Sequence, residues 1–239
     1  MRNFLNLTPK ESSSLHSAIY KNALNLKNDA YLIRDSNKSY GSSTSLLILS
    51  SEEVIKAILV LLHSEGYKVY LLKDAKKFFS DHEFRHEISK LIEIGIGILN
   101  SMDKWEEVKY QKLFNTKSNW FNEVANGIIN IAKVAEPILD SISHIEQLQL
   151  FNDLKNNGLY VDFRNELFEP RTTVGEKEYA KVLKTTNRIF RFYKVLKILH
   201  HSRIKNHIQE DVVEGIKNDL GFFIKEALKG YEFKKISKA

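Results

Sequence analysis

Two short runs hold the side chains best suited to chemistry. In the first, Ser80-Asp81-His82-Glu83-Phe84-Arg85-His86, His82 lies three residues from Arg85 and four from His86. On a helix such spacings put all three on one face. An imidazole titrating near ~6.5 exchanges protons at neutral pH, and a guanidinium holds phosphate. That set suits metal-independent RNA cleavage, which needs a base for the 2′-hydroxyl, an acid for the leaving oxygen and cations for the phosphorane. The structural alternative is that His82 fills a first helical turn and Arg85 pairs with Glu53 or Glu52.

The second run, Ser45-Leu-Leu-Ile-Leu-Ser-Ser-Glu-Glu-Val-Ile-Lys-Ala-Ile-Leu-Val-Leu-Leu62, is an oily helix with charges in its middle. Wound at 100° per residue from Leu46, Leu49 falls at about 300°, Val60 at about 320°, Glu53 at about 340° and Lys56 at about 280°. Glu52, at about 240°, lies beside Leu59 at about 220°. No broad polar face remains, so this helix is expected at the centre of a bundle. A buried charge needs a partner. Lys56 reaches Glu52 or Glu53, leaving one carboxylate to seek a cation from another helix. The set reads either as a packing network or as a polar pocket.

A third candidate is the basic segment His200-His201-Ser202-Arg203-Ile204-Lys205-Asn206-His207. It follows a long helical stretch carrying Lys184, Arg188, Arg191, Lys194 and Lys197. It reads as a phosphate track for RNA or as a solvated face. Neighbouring His200 and His201 diverge on a helix, and no carboxylate stands at ligand spacing, so no metal is expected. With no cysteine in the chain, disulfides, zinc-thiolate sites, iron–sulfur clusters and thiol catalysis are excluded. No cofactor is implied. The net charge of +6 is compatible with an anionic partner.

The elements that must position these groups are helices. Only 10 glycines and 3 prolines punctuate 239 residues, too few turns for a β-sandwich. Thr8-Pro9-Lys10-Glu11 is a capping box with proline at the first helical position, opening a helix over residues 8–34, with a linker at 35–38. A second helix spans 40–63 and closes at Gly66. Residues 67–79 read as a basic, aromatic connection. Ser80 to Glu83 is a second capping box, starting a helix through Ile88, Leu91, Ile92 and Ile98. Gly95 and Gly97 cost that helix about 1 kcal/mol each against alanine, which close packing would explain. Periodicity weakens over 102–117 and returns over 119–151, with a kink or restart at Pro137. Residues 158–163 look extended. Thr173 to Glu176 is a third box, opening a helix that runs to Leu199. A last helix covers 211–228, and the basic tail 229–239 is expected to be flexible. The expected architecture is all-α, a single helical domain over 1–239 with one short extended segment around 158–163. The apolar N-terminal core that a secretory signal requires is absent, and three charges interrupt the longest apolar stretch. The expected location is the cytoplasm, without membrane insertion.

The run Tyr40-Gly41-Ser42 through Leu49-Ser50-Ser51-Glu52-Glu53-Val54-Ile55-Lys56-Ala57 resembles the signature of the AbiV family of bacterial abortive-infection proteins. That signature is an apolar helix with a Ser/Ala-x-Glu-Glu-x-x-Lys-Ala core. Two further matches follow in order. Phe79-Ser80-Asp81-His82-Glu83-Phe84-Arg85 resembles the family's aspartate–histidine segment. Gly158-Leu159-Tyr160-Val161-Asp162-Phe163, with Pro170 after it, resembles its Tyr-Val-Asp segment. Val54-Ile55 departs from the Leu-Gly often found in the first motif.

The resemblance implies a HEPN-like helical bundle and a role in halting phage-infected cells, with RNA or translation as the expected point of action. It also implies a homodimer, since many HEPN proteins are metal-independent endoribonucleases that act as pairs. Their motif is Arg followed by His after four to six residues. None of the eight arginines has a histidine five to seven positions later, so the standard nuclease motif is absent. The candidates are therefore His82, Arg85, Glu53 and Lys56 for catalysis. Glu52, His86, Asp162, Arg188, Arg191, His200 and Arg203 are candidates for contacting RNA or a partner. Asp162 is included on the motif match alone. The alternative function is a non-catalytic module that senses or sequesters a phage-encoded or host protein.

Overall fold

Thr8 begins the bundle as the sequence predicts. Its hydroxyl accepts from Glu11 N at 3.3 Å, and Thr8 N donates to Glu11 Oε2 at 2.8 Å. Two orphan donors of the first turn are thereby satisfied. The helix they start, α1 (Pro9–Asn37), runs through the expected linker and stops where Lys38 turns left-handed at φ 53°. The structure, a computed structural model, describes residues 4–71, 75–81, 85, 88–89, 92–93, 148, 150–206 and 209–230.

α2 (Tyr40–Ser64) packs antiparallel along α1 and is buried over most of its length. Along its middle the incompletely buried residues are Ser42, Leu46, Leu49, Glu53 and Lys56. Their three- and four-residue spacing makes one narrow strip. Glu53 and Lys56 share that strip with Leu46 and Leu49, as their helical angles imply, whereas Val60, expected in the same stripe, is fully buried. That strip is the outer edge of the helix, whereas Glu52 faces the interior. Small residues let the neighbours come close: Ser12, Ala23 and Ala30 of α1 are fully buried. Ser50 Oγ donates to Ala23 O at 2.7 Å across the contact.

After Gly66, at φ 88°, the chain makes a 3-10 turn at Val69–Leu71 and a short helix, α3 (Ala75–Ser80), where a connection is expected from sequence. Ser80 is the last residue of α3 and its hydroxyl donates to Lys76 O at 3.0 Å; the rest of the capping box expected from Ser80 to Glu83 runs outside the described residues. Arg85, Ile88, Ser89, Ile92 and Glu93 are helical and buried. Their spacing is one inward stripe. His82, His86, His207, Gly95, Gly97, Pro137 and the tail from 231 lie outside the described residues.

α4 (Phe151–Asn157) leads to an antiparallel hairpin, β1 (Asp162–Arg164) and β2 (Glu166–Phe168), with Phe163 opposite Leu167. The single extended segment expected at 158–163 is thus two strands, set four residues later. The tight reversal sits at Asn165, at φ 68°, a position that asparagine tolerates better than most residues. After the short α5 (Pro170–Thr173), the long α6 (Glu176–Leu199) is capped at Gly175 rather than Thr173. Gly175 N donates to Glu178 Oε2, and the Thr173 hydroxyl is spent on Glu169 O. α6 packs on α2, where Thr186 Oγ1 donates to Leu47 O at 3.5 Å, and its Val182, Ile189, Tyr193 and Leu196 are buried in the common core. α7 (Glu210–Gly230) closes a smaller cluster of Leu199, Ile204 and Val213. The all-α expectation holds, with the hairpin as its exception.

Two glycines fasten α4 to the start of α2. A Cβ on Gly158 would lie 2.4 Å from both Gly41 O and Ser45 Oγ, and one on Gly41 would lie 2.7 Å from Pro170 O. Gly158 sits at φ −79°, so its need is for space and not for an unusual backbone angle. Gly158→Ala is expected to destabilise the fold by about 1–3 kcal/mol, the cost of overpacking. Gly66→Ala would be strained by its dihedral angle alone. Urea denaturation with circular dichroism measures both.

Candidate functional site

Glu52 is 2% exposed, and each of its carboxylate oxygens meets a cation from a different part of the chain. Arg85 Nη2 donates to Oε2 at 3.0 Å, and Lys155 Nζ, on α4, donates to Oε1 at 3.1 Å. Both partners are buried. The backbone presents each cation in turn. Ser45 Oγ donates to Lys155 O at 2.8 Å, and Ser89 Oγ donates to Arg85 O at 2.9 Å. One stripe further along the helix of Arg85, fully buried Glu93 accepts from Arg188 Nε of α6 at 2.9 Å. These three interior ion pairs therefore tie α2, α4 and α6 to the helical residues Arg85 and Glu93.

Glu53 and Lys56 pair with each other, each 21% exposed, and Asn22 Nδ2 donates to Glu53 at 3.3 Å. The carboxylate left seeking a distant cation is Glu52, and Arg85 answers it, one of the two partners open from sequence. Arg85 points into the interior and not toward a phosphate in solvent. Asp162 is half-buried in β1, where its Oδ1 accepts from Phe163 N at 2.8 Å.

The expected basic track is broken in two places. Arg188 faces Glu93. The His200 side chain is 7% exposed, with Nε2 3.2 Å from Tyr67 OH and Nδ1 3.5 Å from Glu65 Oε2. Burial, with Lys217 nearby, pulls the His200 pKa down to about 4, while Glu214 opposes. Neutral at neutral pH, it offers no cation to RNA. Burial likewise raises Glu65 and pushes Tyr67 up to about 12. Arg191 and Arg203 remain exposed.

Lys155, Glu93 and the hairpin escaped the sequence reading. Lys155 had a signal: with Phe151, Leu154 and Gly158 it makes an inward i, i+3, i+4, i+7 set. Glu93 had one too, lying eight residues after Arg85 inside an isoleucine-rich run. A cavity of about 500 Å³ opens between α1 and α6, lined among others by Arg34, Lys38, Tyr40 and Tyr179. Lys184 of the expected basic stretch lines it, and none of the catalytic or contact candidates does. Among the described residues no three His, Asp or Glu side chains cluster to hold a metal, and no helix is long and apolar enough to cross a membrane.

Glu52→Ala leaves two buried cations facing a void and is expected to cost about 3–5 kcal/mol. Glu53→Ala removes a half-exposed pair and should cost at most about 1 kcal/mol. Paired urea titrations read the difference. His200 has a lower pKa folded, about 4, than its ordinary 6.5. Between those values the unfolded chain binds the extra proton, so its contribution is whole above pH 6.5 and is lost as pH falls toward 4. In thermal melts across that window, His200→Gln should show a shallower loss of stability than the parent.

Compared with known proteins, the chain matches no curated protein and no solved structure. The sequence profile described as AbiV, of the HEPN class, matches residues 11–191. That span holds most of α1, all of α2, the three interior ion pairs, the hairpin and most of α6. The chain belongs to the AbiV family of HEPN proteins.

Proposed function

We propose that the protein is a bacterial abortive-infection effector that arrests the phage-infected cell, and that it does so by binding and not by cutting. It acts in the cytoplasm as a homodimer, and its target is a phage-encoded or host protein of the translation apparatus. The observation that supports binding is the closure of Arg85 on Glu52, with both side chains buried. A cation that must grip a scissile phosphate cannot be committed to an interior carboxylate. The lack of an Arg–His nuclease pair agrees with this. The matched span supports the antiphage role.

The test is expression in a phage-sensitive bacterial host. Infected cultures should stop growing and release fewer phage, while total RNA incubated with purified protein stays intact. Glu53→Ala should keep the protection, and Glu52→Ala should lose it together with the fold. Unchanged phage yield would refute the antiphage role. RNA cleavage abolished by Arg85→Ala in a protein that still folds would refute the binding mode.

A further inference from the structure

The hairpin is an apolar arm. Leu159, Tyr160, Val161, Phe163 and Leu167 are 45–71% exposed. Phe163 and Leu167, opposite one another across the strands, share one face. The other carries Asp162 and Glu166 with Phe168. From 159 to 169 the arm has three acids, Asp162, Glu166 and Glu169, against Arg164 alone. A two-stranded ribbon in water is marginal by itself. An apolar patch of this kind marks a contact surface.

A surface complementary to the arm lies on the same chain. Between Tyr179 and Gln209 there is no Asp or Glu. Near the C-terminal end of α6, Val195 and Ile198 stand 42% and 60% exposed beside exposed Arg191, Lys194 and Lys197. This patch is apolar within a basic surround, as the arm is apolar and acidic.

The two cannot meet within one molecule. The hairpin's feet, Gly158 and Pro170, both abut Gly41, and Pro170 leads directly into the N-terminal end of α6. Val195 lies 19 residues beyond Glu176, about 29 Å along the helix, whereas a three-residue strand spans only about 10 Å. Resting on the homodimer reading above, we propose that the arm of each protomer docks on the Val195–Ile198 patch of a second copy. A two-fold axis makes the exchange reciprocal, so every such contact occurs twice. An RNA strand fits less well: the arm's acids repel phosphate, and Val195 and Ile198 offer it nothing.

The chain has no cysteine, so single cysteines report the contact directly. A short bismaleimide should join Phe163→Cys to Ile198→Cys in a mixture of the two proteins and leave each protein alone uncrosslinked. In sedimentation, Phe163→Asp and Ile198→Asp should each weaken the dimer by about tenfold or more. At concentrations low enough that parent and variants are all monomeric, their melting curves should coincide, since both positions are exposed in the single protomer. A dimer that survives both aspartates, or Phe163→Cys that crosslinks to itself, overturns the arm contact and leaves the homodimer standing. A parent protein that sediments as a monomer overturns both. RNA binding lost in Ile198→Asp, with the dimer retained, assigns the face to nucleic acid and also overturns the contact.

Discussion

A carboxylate placed in the middle of an apolar helix has to be answered by cations that arrive from elsewhere in the chain. Glu52 imposes that constraint here, and much of the architecture follows from it. Lys155 comes to it from 103 residues downstream and Arg85 from 33. Each arrives on a separate element, so the ion pairs fix how α4 and the helix of Arg85 sit against α2. Apolar contact alone is tolerant of sliding and rotation. A buried charge is not, because any misplacement leaves it unpaired in a medium that solvates it poorly. Glu93 and Arg188 extend the same demand to α6.

The polar interior needs close backbone approach as well as charge matching. α2 carries a run of buried hydroxyls, and each of Ser43, Ser45, Ser50 and Ser51 donates to a backbone carbonyl. Short side chains keep α1 near, and the Gly41–Gly158 contact brings α4 near enough for Lys155 to reach Glu52. Aromatic residues then fill the remaining space. Tyr193 stacks on Tyr20 at 4.2 Å and shares a 2.7 Å hydrogen bond with His16.

Helices were legible wherever a cap and a long apolar period coincided, as at Thr8 and along α2. The errors fell where a local signal met competition. Thr173 has the cap pattern, but its hydroxyl bonds back to Glu169 O, and the backbone amide of Gly175 meets Glu178 instead. Ser80 finishes α3, a helix that no periodicity announced. That Glu52 must pair with a remote cation was readable from its helical position. Which cation was not, because pairing over 33 and 103 residues is decided by the bundle and not by spacing. The hairpin was half visible: the short apolar run at 158–163 looked extended, but the reversal at Asn165 lacks the glycine that usually signals a two-strand turn.

The interior charges and the basic exterior do different physical work, although both look alike in sequence. Arg85, Lys155 and Arg188 face carboxylates and hold helices together. Arg191, Lys194 and Lys197 are exposed on α6, where they attract a ligand that brings negative charge. Chemistry that would require an interior arginine to leave its carboxylate must first break a buried ion pair, a step costing several kcal/mol. Binding at the surface needs no such rearrangement, and the two sets can therefore serve one protein without interfering.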